Sequence, residues 1–303
     1  MIHLKQLFLS IPVLLLFSIN SNAQNNATLE LSLYEEAVKQ PSQVRLLNLR
    51  QKELIQVPDS IDRFNNLEVL SLMKNDIKEL SPAFYNLTTL KEVIIRNNKI
   101  STISPLILKL ENLEIFTAND NLFKELPNEF CQLGGLKEVH LFNNQLSQLP
   151  AQIGKLKQLQ YLDLKNNKLS NLPESFRNLD SLKVLELSSN SITEFPIQVT
   201  SLNNLSSLSL ENNTISFLPA DIKKMKSLKS LLLTNNTLTD LPKGICELDK
   251  LELLLLTNNQ LSHLPKNIKK MKSLKTLMLN GNNLSEQEKL RIKKALPNTD
   301  IRF

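Results

Sequence analysis
The chain has 303 residues, with 36 Lys and Arg against 30 Asp and Glu, five Gly, thirteen Pro, two Cys and no Trp. That composition excludes a collagen-like chain, a disulfide scaffold and an intrinsically disordered one. Hydrophobic residues make up 41% of it but aromatics only 5%, so the core must be aliphatic, and aliphatic side chains reach interior density by regular stacking.

At the N-terminus Lys5 precedes a thirteen-residue apolar run, Leu7 to Ile19, and Ser21-Asn22-Ala23 supplies small residues before Gln24. This is the pattern of a secretory signal peptide over residues 1–23, cleaved near Ala23. The run falls short of the roughly 20 apolar residues that span a bilayer, so export to the periplasm or the exterior is expected, without stable membrane insertion. Gln24 in place of Cys argues against a lipid anchor. Residues 24–43 should form an N-terminal cap on the region after them, with a helix over Leu33 to Lys39 stopped by Pro41.

From residue 44 to residue 284 the chain is periodic. Ten prolines, from Pro58 to Pro265, recur 22 to 24 residues apart. Alignment on Leu67-x-x-Leu70-x-Leu72-x-x-Asn75-x-Ile77-x-x-Leu80 gives eleven units, starting at Val44 and then every 23 residues from Leu67 to Leu274. The pattern resembles the leucine-rich repeat signature L-x-x-L-x-L-x-x-N-x-L, in a 23-residue form with a following Leu-Pro. That resemblance implies a right-handed α/β solenoid, curved, with short parallel strands on its concave face and extended or short helical segments on the convex one. Within a unit, Leu162 and Leu164 alternate with outward positions, as in a strand with one buried face. Such a face is covered only by stacking on neighbouring copies.

Asn fills the ninth position in ten of eleven units, Asn75 through Asn282, and the exception is Lys52 in the first. A polar amide among buried Leu residues needs backbone partners, so the row is expected to be structural, whereas the Asn before it in several units should face solvent. Ser81 and Ser104 displace the expected Pro by one residue, and Ala118 replaces a strand Leu. Cys131 and Cys246 stand five units apart, too far for a disulfide. Residues 285–303 read as a C-terminal cap: Ser285 to Glu288 is a capping-box pattern opening a helix through about Leu296, and Ile301 and Phe303 fit a closing strand.

Side chains between the strand leucines should line the concave face. The expected partner surface comprises Arg96, His140, Phe142, Tyr161, Asp163, Lys165, Glu186, Glu211, Leu232, Leu253, Leu255 and Met278, where aromatic and aliphatic groups beside charges resemble interface anchors. His140, Asp163 and Glu186 share one row on successive strands about 4.8 Å apart. That row invites a metal or a pair of glycosidase carboxylates, but an open trough without a further ligand reads as a solvated, mixed-charge face. Neither a phosphate loop nor C-x-x-C occurs, so no cofactor and no enzyme activity are expected.

Residues 266–303 carry ten Lys and Arg against three acids. Lys269, Lys270, Lys272 and Lys275, with Lys223, Lys224, Lys226 and Lys229 two units earlier, should form a convex or lateral basic ridge. The resemblance implies a monomeric, non-enzymatic scaffold that binds a protein or peptide, or a glycan, on the concave face. The alternative is an envelope structural or adhesive protein that holds anionic polysaccharide or lipid headgroups on the ridge. Nucleic acid is not an expected partner, because aromatics rarely interleave the basic residues.

Overall fold
In the computed structural model of the chain, the structure describes residues 34–303. The expected leader and residues 24–33 of the expected cap lie outside them. The described part opens with a one-turn helix, α1, Tyr34–Ala37, shorter than expected, and a turn at Pro41–Gln43. Eleven three-residue strands follow, each at the third to fifth positions of its unit. They are β1 (Leu46–Asn48), β2 (Val69–Ser71), β3 (Glu92–Ile94), β4 (Ile115–Thr117), β5 (Glu138–His140), β6 (Tyr161–Asp163), β7 (Val184–Glu186), β8 (Ser207–Ser209), β9 (Ser230–Leu232), β10 (Leu253–Leu255) and β11 (Thr276–Met278). Helix α2 (Glu286–Ala295) and strand β12 (Asp300–Arg302) close the chain. All twelve strands form one parallel sheet in sequence order, with equivalent residues in register, as His140 opposite Asp163 and Asp163 opposite Glu186.

The return of each unit is a 3₁₀ turn, for example Glu174–Asn178 or Ala220–Lys224. Its two apolar anchors lie three residues apart, as Phe176 and Leu179 or Ile222 and Met225, and all four are buried. Three residues per turn is the 3₁₀ repeat, so this spacing brings both anchors to one face. Proline just before most of these turns supplies the extended approach. Where Ser81 and Ser104 displace it, the turns Pro82–Asn86 and Pro105–Lys109 keep the same phase, with proline as their first residue. The slip therefore leaves the stacking unchanged. Ala118 is accommodated by volume: Phe116, Phe123 and Phe130 fill the same unit, all fully buried, and the Phe116 and Phe130 rings meet at 5.4 Å. Cys131 and Cys246 are free and buried, and burial pushes both thiols up to about 11.

The ninth-position amides are the rivets. Asn167 Nδ2 donates to the carbonyl of Leu164 in its own unit and to that of Leu141 in the preceding one, both at 3.0 Å, and its Oδ1 accepts from Leu146 N–H at 3.0 Å. The same arrangement recurs at Asn98, Asn121, Asn144, Asn213, Asn236 and Asn259. Every polar atom of the amide is used, so burying it costs little.

The residue just before each amide has a second task. At all eleven equivalent positions the backbone is left-handed, with φ of 53° to 57° from Gln51 to Asn258 and 71° at Gly281. This bend aims the following amide inward. Asn, Asp and Gly tolerate it best, which accounts for Asn or Asp in seven units and Gly in the last. Asn143 and Asn166 face solvent there, but Asn166 Nδ2 also donates to Asn143 Oδ1 at 2.7 Å, so the exposed asparagines ladder from unit to unit.

The C-terminal cap departs from a reciprocal capping box. Ser285 Oγ accepts from Glu288 N–H at 3.2 Å, while the Glu288 carboxylate accepts from Leu264 N–H at 2.8 Å and pairs with Arg291, whose Nη2 donates to the Leu264 carbonyl at 2.8 Å. One ion pair thus fastens α2 to the backbone of an earlier repeat. Among the described residues no helix is long and apolar enough to cross a membrane.

Replacing Asn167 with Ala orphans two carbonyls and an N–H, and should destabilise the chain by about 2 to 3 kcal/mol. Asn166→Ala should cost about 1 kcal/mol through its left-handed backbone, and Asn166→Gly under about 0.5 kcal/mol. Denaturant unfolding of the three variants checks this order. Equal losses for Asn167→Ala and Asn166→Gly would refute the assignment of roles.

Candidate functional site
Parallel in-register stacking places the third and fifth residues of every unit on the concave face of the sheet, with the seventh just beyond each strand. Among the described residues no element packs over that face: strands contact neighbouring strands, and 3₁₀ turns contact neighbouring turns. The expected partner residues all lie on it, but not as one cluster.

Arg96 stands apart, two units before His140, with its Nε against the Met73 sulfur at 2.5 Å. The middle group is continuous. His140 on β5 stacks against Tyr161 on β6, ring centroids 4.8 Å apart and planes 31° from parallel, and its Nε2 meets the Glu138 carboxylate of its own strand at 3.4 Å. Phe142 is half-buried next to the row, and its N–H donates to Asn119 Oδ1 at 2.9 Å. Asp163 Oδ1 accepts from Lys165 N–H at 3.0 Å, while the Lys165 side chain is exposed. Leu232, Leu253, Leu255 and Met278 form a half-exposed apolar patch on β9 to β11.

The carboxylates of this face are electrostatically strained. Glu186 is pushed up to about 7 by partial burial and by the neighbouring Asp163 charge, with the Ser209 hydroxyl pulling the other way. Burial raises Asp163 as well, against its bond from Lys165 N–H and the His140 charge. Glu92 on β3 is raised by burial and by Glu138. The Tyr161 hydroxyl is raised by burial and by three surrounding acids. Low-dielectric surroundings penalise each charge, and like neighbours add to the penalty.

Two contributors escaped the reading of the sequence. Glu92 sits in the third-position row, and continuing the 23-residue step along that row finds it. Ser207 and Ser209 lie on the third- and fifth-position rows of β8, and the structure buries both. As for metal, among the described residues no group of three or more His, Cys, Asp and Glu is spaced to hold an ion. His140, Asp163 and Glu186 are in register on adjacent strands, but the near acidic contact of His140 is Glu138.

The basic ridge is real in position but partly neutralised. Lys223, Lys224, Lys269 and Lys270 are exposed at equivalent places two units apart. Lys224 pairs with Asp221 at 2.7 Å, Lys275 with Glu252 at 2.5 Å, and Lys226 donates to the Glu247 carbonyl.

Glu186 makes a pH prediction. The unfolded carboxyl titrates near 4.5 and the folded one near 7, so the folded state holds the proton more tightly. Stability from this group is complete below about pH 4.5 and is lost as pH rises through 7. Glu186→Gln, neutral throughout, should therefore stabilise the chain at pH 8 by roughly 1 to 2 kcal/mol, discounted for partial exposure, and change little at pH 4.5. Thermal melts of both proteins across that range check it; a pH-independent difference would show that the carboxyl is unperturbed.

Three stretches of the chain match family models: residues 143–235 a leucine-rich repeat region, residues 226–284 a leucine rich repeat, and residues 65–108 a two-copy leucine rich repeat. No curated protein matches the chain. Among solved structures it is similar to the ectodomain of the plant membrane receptor kinase GASSHO1/SCHENGEN3 from Arabidopsis thaliana, in complex with CASPARIAN STRIP INTEGRITY FACTOR 2. That match has 28% identity and a TM-score of 0.65, and covers 83% of this chain and 35% of that one. An internalin from Listeria monocytogenes matches at 23% identity and a TM-score of 0.70, over 88% of this chain and 82% of that one. A chain of the Toll–Spatzle complex from Drosophila matches at 24% identity and 0.74, over 80% and 36%. The chain thus spans about a third of the two receptor-complex chains and most of the internalin.

Proposed function
This chain is a leucine-rich repeat protein, and from that premise we propose that it is a non-enzymatic scaffold, working outside the cytoplasm, that receives a protein or peptide on the concave face of β5 to β11. The observation that carries the reading is an uncovered parallel sheet face bearing half-exposed Phe142, Tyr161, Leu232, Leu253, Leu255 and Met278 beside charged groups. Sheet faces that need only solubility carry polar residues; aromatic and aliphatic groups ringed by charge have the make-up of interface hot spots. The GASSHO1/SCHENGEN3 ectodomain was solved with a factor bound, and the same use of the fold extends to this chain.

Export is part of the proposal and rests on Lys5, the run from Leu7 to Ile19 and the small residues ending at Ala23. The mature protein should begin at Gln24, and intact-mass measurement of the chain expressed with its leader checks that; an uncleaved product retaining Met1 would contradict it.

The binding test is capture from cell-surface or culture-medium fractions by the mature protein and by a Phe142→Ala, Tyr161→Ala, Leu255→Ala variant, matched for fold by circular dichroism. The variant should lose the captured partner at least tenfold. Equal capture by both would rule out the concave site. The four equivalent lysines of the ridge keep a second reading alive, attachment to an anionic polymer. Salt separates the two: ridge attachment weakens steeply between low and physiological ionic strength, and a concave complex anchored by aromatics much less.

A further inference from the structure
Charges at two places on this solenoid are treated in opposite ways. Along the second position of the units, just before each strand, carboxylates find cations one unit away. Glu68 lies between Arg45 and Lys91, Glu114 pairs with Lys137, and Glu252 with Lys275. On the concave face, among the described residues, Glu92, Asp163, Glu186 and Glu211 have no ion-pair partner, and Glu138 has only His140. The stacking that places a cation opposite each acid at the edge was equally available at the third, fifth and seventh positions. The cations beside Asp163 and Glu186 are His140 and the exposed Lys165, while Arg96, in the unit of Glu92, meets the Met73 sulfur. Burial raises Glu92, Asp163 and Glu186, and repulsion from a neighbouring acid adds to it at Glu92 and Glu186, so a cation brought beside them would favour their charged form.

The shape of the face changes at β8. Among the described strands it is the one whose three residues are all buried. Ser209 sits between Glu186 and Leu232 and Ser207 between Val184 and Ser230, and their neighbours cover both hydroxyls. Ser209 Oγ and Ser188 Oγ share a hydrogen bond of 2.5 Å across the floor. The serines form a closed floor bordered by Glu186 one strand before, by Leu232 one strand after and by Glu211 two residues beyond Ser209 in the same unit. Beyond it the fifth-position row turns apolar through Leu232, Leu255 and Met278, three strands covering about 10 Å.

Resting on the concave-face reading above, we propose that the partner docks an extended segment in which an arginine or lysine is followed by apolar residues. Its cationic side chain lies across β8 against Glu186 and Glu211, and its apolar side chains lie on Leu232, Leu253, Leu255 and Met278. The short, covered serines leave nothing standing between the two carboxylates and that side chain, whose cationic head supplies the counter-charge that they lack. An acidic polymer is repelled by the same band.

The test is a random dodecapeptide library displayed on phage and selected against the full chain, with E186Q/E211Q and the single Glu211→Gln variant as comparators, each verified folded by circular dichroism and melting. Recovered peptides should be enriched in Arg or Lys beside apolar residues. As synthetic peptides they should bind E186Q/E211Q at least tenfold more weakly, Glu211→Gln less so, and should weaken further on Leu255→Ala. Recovery of peptides without basic enrichment, or with affinity indifferent to E186Q/E211Q, would overturn this partner chemistry; their loss on the Phe142→Ala, Tyr161→Ala, Leu255→Ala variant would still support the scaffold. Recovery of no peptide would also overturn it, and the capture experiment then judges the scaffold reading by itself.

Discussion
A buried side-chain amide sets the terms for everything else in this molecule. Each ninth-position Asn donates to carbonyls in two successive units and accepts an N–H from the earlier one. Those three bonds close only if the strand and following turn of consecutive units superimpose, so the register of one unit on the next is a geometric requirement. An unsatisfied amide in an aliphatic core costs a few kcal/mol, and the row repeats that penalty for slippage at unit after unit. The left-handed residue before it and the three-residue strand before that are consequences: the chain must straighten to pair, then bend to turn the amide inward.

Because registry is secured from within, the outward positions of the strands are released from structural work. They divide into a charge-alternating edge that helps hold the units together and a concave face where acids are left unmatched. Exposed ion pairs of the first kind contribute little each, but their repetition shows what this architecture does with charge when no partner is involved. Glu92, Asp163 and Glu186 on the concave face carry raised proton affinities instead, a stability cost of leaving partly buried acids without a cation.

Much of this was legible along the chain. The unit length, the strand positions, the inward leucines, the structural Asn row and the display rows follow from one period, since residues 23 apart become neighbours. The helical C-terminal cap was legible from Ser285 through Glu288, but the destination of the Glu288 carboxylate was not: it bonds Leu264 N–H, and whether such a group closes a local box or reaches an earlier repeat depends on how the helix docks. The burial of Ser207 and Ser209 was hidden for a similar reason. Serine is small and polar in any sequence; it becomes part of a covered floor only when Val184, Glu186 and Leu232 stand on the strands either side of it.

The amino-acid sequence by itself determined the stacking, because a periodic pattern of aliphatic and amide side chains has one arrangement that buries the first and satisfies the second. Tertiary structure alone decided the left-handed bend ahead of every amide, the 3₁₀ returns, the burial of the β8 serines and the raised affinity of Glu186 for its proton. These depend on distances between residues in different units, and on how much water each neighbour displaces. Such quantities come into being only when the units close on one another.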